Sequence, residues 1–191
     1  ANNGNVGYCN NNCAGLVGNY YVSINDPNCD DSGPGTSEKP WCNLNRSYTW
    51  YNCDNCPKVQ EGDIVIFRNG SYGEFKESTN VNPGEIYLFY RNNWITYKAD
   101  AGHTPILNNV YIRNQDKWGG NGSGRSYLII DGFKILDGIN IQYTSYVQIN
   151  NCEIMRKATS YEGFYAPYFL GHANGINAVN VNHGIIEGNE I

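Results

Sequence analysis

The sequence predicts an all-β fold, a solenoid in which short parallel strands stack in the successive coils of a parallel β-helix. Charged residues are scarce at 16%, whereas aromatic residues reach 14%, a composition typical of β-rich extracellular chains. After residue 60, short runs of β-branched and aromatic residues alternate with turn residues, and no helical period appears. A ten-residue pattern also recurs near the end of the chain, as expected for stacked repeats.

The repeat comprises SYLIIDGFKI at 126–135, SYVQINNCEI at 145–154 and NHGIIEGNEI at 182–191. Isoleucine occupies the fifth and tenth places of every copy, at Ile130, Ile135, Ile149, Ile154, Ile186 and Ile191. Small polar pairs follow the fifth place, and we expect them to bend the strand at a corner: Asp131-Gly132, Asn150-Asn151 and Glu187-Gly188. Tyr127 and Tyr146 are 19 residues apart, which is close to the length of one coil.

The sequence divides into an irregular, cysteine-rich cap at 1–60 and parallel coils at 61–191. An aromatic-rich loop at 155–175 is inserted between the second and third copies of the repeat. The third copy stops at Ile191, so we expect the sequence to end mid-solenoid. An open last coil exposes strand edges and apolar side chains, which further chain or another subunit would cover. We therefore expect end-to-end self-association through the last coil.

Six of the seven cysteines lie in the first 56 residues, and we interpret them as disulfide candidates: Cys9, Cys13, Cys29, Cys42, Cys53 and Cys56. Disulfides place the protein in an oxidising compartment, outside the cell. Six cysteines allow 15 pairings, so the connectivity stays open. A zinc site built from the first and last pairs of this set is the alternative. The seventh, Cys152, alternates inward with the isoleucines and is expected to be a buried free thiol.

Two further surface features suit an extracellular protein. Asn-x-Ser sequons at Asn45, Asn69 and Asn121 are candidate glycosylation sites in a secreted protein. The inserted loop presents five aromatic residues that can contact a protein partner, stack on a glycan or fold back over the coil: Tyr161, Phe164, Tyr165, Tyr168 and Phe169.

Several function classes are disfavoured. The net charge is −5 and no basic run occurs, which argues against nucleic acid as a partner. No apolar stretch is long enough to span a membrane. The three histidines are far apart in sequence, and His183 takes the place of Tyr127 and Tyr146 in its repeat, so we expect it to be a stacking residue. No catalytic motif is recognised, and no catalytic residue is predicted.

The segment YYVSINDPNCDDSGPGTSEKPWCNL at 20–44, followed by GDIVIFRNGSYGEF at 62–75, resembles the entry of pectate-lyase-like parallel β-helix proteins. The resemblance covers about residues 20–191 and implies right-handed coils. A lyase of this kind needs calcium held by clustered carboxylates, beside a lysine or arginine base. The acidic pair Asp30-Asp31 is the candidate calcium ligand, and a solvated turn is its other interpretation.

Two functions follow from these features. The first is a secreted structural or surface glycoprotein, assembling head-to-tail into filaments, that needs no cofactor. The second is the N-terminal part of an extracellular polysaccharide-active enzyme, a calcium-dependent lyase that acts by β-elimination. The first is favoured because the sequence shows an open last coil, sequons and an aromatic loop but no catalytic cluster.

Overall fold

The computed structural model describes residues 18–49, 57–78, 91–114, 124–155 and 175–191. These residues form an all-β structure with one short 3-10 helix, Leu44–Ser47. Its strands are β1 Asn19–Val22, β2 Ile64–Phe67, β3 Gly70–Ser71, β4 Phe75–Ser78, β5 Ile95–Ala99, β6 Pro105–Leu107, β7 Val110–Arg113, β8 Arg125–Asp131, β9 Lys134–Ile135, β10 Ile139–Asn150, β11 Glu153–Ile154 and β12 Ile176–Glu187.

All the strand pairs of the described residues are parallel, as the sequence predicts, and they build three stacks. The first stack runs β1-β2-β5-β8 and continues into the second half of β10. The second stack is the four-stranded sheet of β3, β6, β9 and β11. The third stack runs β4-β7 and continues into the first half of β10. Strand β12 pairs with β10 along both halves and so extends the first and third stacks together.

The chain visits the three stacks in a constant order. Strands β2, β3 and β4 enter the first, second and third stack in turn, and β5, β6 and β7 repeat that order. Strand β10 then joins the third stack of one passage directly to the first stack of the next. Because each passage adds one strand to every stack, parallel neighbours meet without any helical crossover.

The isoleucine repeat predicted from the sequence is confirmed by the strand register. Ile149 pairs with Ile130 on one side and with Ile186 on the other, and Ile154 pairs with Ile135. The alternating inward residues of these strands are buried in one continuous core. Cys152 lies in this core as a free thiol, and burial raises its pKa to about 11, so it is a packing residue rather than a reactive one.

The predicted corners also form, one residue later than the paired position. The backbone turns through positive φ at Gly132, Asn151 and Gly188, with φ of 77°, 51° and 66°. Glycine and asparagine are the residues that tolerate this conformation best. The second member of each polar pair therefore makes the bend, while the first member remains in the strand.

The segment 33–41 covers the outer edge of β1. The Tyr21 amide donates to the Gly35 carbonyl at 2.8 Å, and the Trp41 amide donates to the Tyr21 carbonyl at 2.9 Å. Trp41 is fully buried and lies between the ring of Tyr20, at 4.7 Å, and the guanidinium of Arg46, at 4.0 Å. This covering satisfies the edge that would otherwise start the first stack open to solvent.

One disulfide joins Cys29 to Cys42 within the cap. This bond supports the predicted disulfide cap in part, since Cys9, Cys13, Cys53 and Cys56 lie outside the described residues. The boundary at residue 60 stays a prediction, and most of the loop at 155–175 also falls outside the described ranges.

Removing this disulfide is expected to lower the free energy of unfolding by about 3 kcal/mol, because it closes a loop of 13 residues in the unfolded chain. The variant Cys29→Ser/Cys42→Ser tests this in urea-induced unfolding, and both positions are only half-buried, so serine fits. The control is Cys152→Ala, which removes a thiol without removing a cross-link. An unchanged unfolding midpoint in the double variant would show that the bond does not restrain the unfolded chain.

Candidate functional site

A line of polar side chains crosses the outward face of the first stack. Lys98 on β5 pairs with Asp131 on β8, Asp131 pairs with Asn150 on β10, and Asn150 pairs with Glu187 on β12. We call these four residues the polar row. Their neighbours in each strand, such as Tyr97, Ile130 and Ile149, point inward, so strand alternation directs the row outward.

The polar row places opposite charges on adjacent strands. Neighbouring strands lie about 4.8 Å apart, so Lys98 and Asn150 flank Asp131 at close range. The corner residue Asn151 donates through Nδ2 to Asp131 Oδ1 at 2.9 Å, which fixes that carboxylate. The side-chain oxygen of Asn150 is buried, and no described residue donates a hydrogen bond to it. The row therefore offers a lysine amine and several oxygen acceptors along one line.

An aromatic ladder lies at the start of the same strands. The rings of Tyr127 and Tyr146 stack with centroids 4.2 Å apart, and Tyr146 stacks on His183 at 4.6 Å. Trp94 meets Tyr127 edge to face at 5.2 Å. The prediction that His183 is a stacking residue is confirmed, since its ring is nearly parallel to that of Tyr146.

The ladder residues adopt an uncommon backbone conformation. Tyr127, Tyr146 and His183 all have positive φ, at 47°, 61° and 55°. A bulky residue in this region costs about 1 kcal/mol or more, so the surrounding contacts must hold it there. The parallel ring stacking supplies such contacts in every successive strand. The ladder thus fixes the corner at which the chain enters the first stack.

A buried ion pair lies behind this corner. Arg91 Nη1 donates to Glu77 Oε1 at 2.7 Å and to the Ser126 carbonyl at 2.8 Å, with 6% and 2% of the Arg91 and Glu77 side chains exposed. Burial raises the pKa of Glu77, and the attraction of Arg91 opposes that rise. Arg91 Nη2 also donates to Thr49 Oγ1 at 3.2 Å. The pair joins the cap, β4 and β8.

An open cleft of about 420 Å³ adjoins this ion pair. Its lining residues are Thr49, Val59, Gln60, Glu61 and Arg91. Glu61 Oε2 accepts the backbone amides of Asn92 and Asn93, at 2.9 and 3.1 Å. The polar groups of the cleft thus already serve the turn before β5.

A second charged cluster connects the cap to the first stack. Arg68 lies 3.4 Å from carboxylate oxygens of Asp26 and Asp100, and it donates to the Ser37 carbonyl at 3.0 Å. Its guanidinium also lies over the ring of Tyr21 at 5.3 Å. This cluster is structural, because each of its charged groups is engaged by another within it.

The predicted calcium ligands make turn contacts. Asp31 Oδ1 accepts the backbone amides of Cys42 and Asn43, at 2.8 and 3.1 Å. Asp30 accepts a hydrogen bond from Lys39, which, together with the Ser32 amide, lowers its pKa. The solvated-turn interpretation accounts for both carboxylates. Calcium binding at this pair stays a prediction.

The other predicted surface sites are described in part. Asn45 on the 3-10 helix and Asn69 after β2 are exposed, while Asn121 lies outside the described residues. Asn69 Oδ1 accepts the Thr104 amide at 2.6 Å, which orients the side-chain amide. Glycosylation stays a prediction at all three. The five loop aromatics at 161–169 also lie outside the described residues.

Sequence reasoning missed the polar row and the buried ion pair. Lys98 follows Tyr97 as Asp131 follows Ile130, so an alignment of β5 with β8 would have revealed the first of these. The partners of the ion pair are separated by 14 residues and belong to no repeat, and their pairing leaves no sequence signal.

Comparison with known proteins gives little independent information. No family model matches the chain. No curated protein matches it either. A search of solved structures returned a protein described as a rhamnogalacturonan lyase, with 18% identity and a TM-score of 0.44. The match covers 90% of this chain and 50% of that one, so this chain spans about half of that protein's length. No helix within the described residues is long and apolar enough to cross a membrane.

Proposed function

We propose that this chain is a right-handed parallel β-helix segment of an extracellular structural or surface glycoprotein that self-associates end to end. The observation that carries the proposal is the constant visiting order of the three stacks, which adds one parallel strand to each stack per passage. Parallel strands in one sheet are connected with right-handed geometry in nearly all known cases. Coils of this kind build a stiff rod from nearest-neighbour contacts.

The charged groups support a structural role. Arg91 with Glu77, Arg68 with its two aspartates, and Asp31 with its amides are all engaged in holding the coils and the cap together. The disulfide between Cys29 and Cys42 supports an extracellular location, since such bonds persist in oxidising compartments. Glycans at Asn45 and Asn69 would extend from exposed positions on the cap and β2 side.

The second candidate is a polysaccharide-active enzyme, and the polar row favours it. Asp131, Asn150 and Glu187 present oxygen atoms of the kind that calcium prefers, and the buried, unpartnered Oδ1 of Asn150 fits a cation ligand. When bound, calcium would neutralise a uronate carboxylate. Lys98 would then take the adjacent carbon-bound proton, and the electron pair would form a C=C bond as the glycosidic oxygen leaves and is protonated by water.

An activity assay separates the two candidates. The purified chain is incubated with polygalacturonate and calcium, and ultraviolet absorbance is followed for unsaturated product. The structural proposal predicts no rise above a heat-denatured control. A calcium-dependent rise that is abolished by Lys98→Ala and kept by Lys134→Ala, a lysine on the second stack, would overturn it in favour of the lyase.

A further inference from the structure

The last described strand leaves an apolar surface uncovered. The exposed fractions are 49% for Ile186, 44% for Ile185 and 61% for Ile191, whereas Ile130 and Ile149, which precede Ile186 in the same line, are fully buried. Strand β12 pairs only with β10 among the described strands, so the backbone groups on its other side have no strand partner. An edge of this length and hydrophobicity favours pairing with another strand.

The opposite end of the first stack is not available for that pairing. The outer edge of β1 already exchanges hydrogen bonds with Gly35 and Trp41, and Trp41 is itself fully buried. A second copy stacked head-to-tail would therefore meet β12 with a covered edge. Among the described residues, the surface that complements the exposed edge of β12 in both hydrogen bonding and hydrophobicity is the same edge of a second copy.

We propose that two copies of this chain pair β12 against β12 around a twofold axis and form a closed, tail-to-tail dimer. This inference rests on the proposed end-to-end self-association and replaces its head-to-tail form. A twofold axis brings identical surfaces together and runs the two strands antiparallel, so each edge supplies the donors and acceptors that the other lacks. The isoleucine lines of both copies then bury one another.

The aromatic ladder ends at the same interface. His183 is exposed and stacks on Tyr146 through one face of its ring, so its other face is directed away from β10. The charged side chains of β12 are His183 and Glu187, and its other residues are apolar, small or amide-bearing. A surface with so few charges loses little solvation when two copies meet.

Light scattering coupled to size exclusion tests the dimer with the 191-residue chain. We expect a mass of about 43 kDa, twice the chain mass of 21.4 kDa, that falls to the monomer value in Ile186→Asp. The matched control is Ile24→Asp, since Ile24 is a 40% exposed isoleucine on the cap and should leave the dimer intact. Circular dichroism of both variants checks that each is folded.

Cross-linking distinguishes the geometry of association. A cysteine placed at Asn182, near the middle of β12, should cross-link to the same residue of a second copy, whereas one placed at the exposed cap residue Ser32 should not. Filaments without the Asn182→Cys cross-link would overturn the dimer but leave structural self-association standing. Monomers at all concentrations would overturn both.

Discussion

Replacing either member of the buried Arg91–Glu77 pair is expected to lower the free energy of unfolding by about 3–5 kcal/mol. Arg91→Met leaves the Glu77 carboxylate without its cation, and Glu77→Ala leaves the guanidinium without its anion. Both remaining groups stay where water reaches them poorly. Guanidinium-induced unfolding of each variant measures the loss, and the double variant Arg91→Met/Glu77→Leu should recover most of it because no unpaired charge is then buried.

The control for this prediction is an exposed ion pair on the second stack. Lys134 and Glu153 lie 2.5 Å apart, with 29% and 46% of their side chains exposed. Lys134→Met should cost no more than about 1 kcal/mol, because solvent screens such pairs. Equal losses for Lys134→Met and Arg91→Met would contradict the special position of the buried pair behind the corner.

Alkaline pH is expected to unfold the protein steeply above pH 10. Burial raises the pKa of Tyr20 to about 12, and it raises the pKa of Tyr48 and Tyr97 further. In the unfolded chain a tyrosine ionises near pH 10. The native state therefore holds protons that the unfolded state releases, and stability that is complete below pH 10 falls as pH rises through 12. Three tyrosines give a slope of up to about 4 kcal/mol per pH unit.

Urea-induced unfolding at half-unit steps from pH 9 to pH 12 measures that slope. Tyr97→Phe should reduce it by about a third, because one of the three buried hydroxyls is gone. Phe133→Leu, at another buried ring, should lower stability by a constant amount at every pH without changing the slope. A Tyr97→Phe slope identical to that of the unmodified chain would show that this hydroxyl ionises in the native state.

Much of the fold could be predicted from the sequence because its physics is periodic. Ile130, Ile149 and Ile186 recur at constant phase, and a residue that must point inward in every coil repeats at the coil length. The corner could be placed to within one residue, since Gly132, Asn151 and Gly188 occupy a backbone conformation that few residue types tolerate. The shared place of Tyr127, Tyr146 and His183 likewise predicted their stacking.

The contacts that escaped prediction connect residues that follow no period. Glu77 and Arg91 meet across a corner, and Arg68 gathers Asp26 and Asp100 from three different segments. Such partners are decided by tertiary geometry, which a single sequence does not encode in its spacing. The covered edge of β1 belongs to the same class, because Gly35 and Trp41 fold back over it from an irregular loop. That loop changed the expected mode of self-association.

The parallel register of the repeat is the central claim, and nuclear Overhauser contacts between isoleucine methyl groups test it most directly. Strands about 4.8 Å apart bring the side chains of neighbouring coils into contact, whereas alternate coils lie about twice as far apart. The register predicts contacts from Ile149 to both Ile130 and Ile186, and none between Ile130 and Ile186. Contacts of Ile130 with Ile139 or Ile141 in a hairpin arrangement, without those of Ile149, would contradict it.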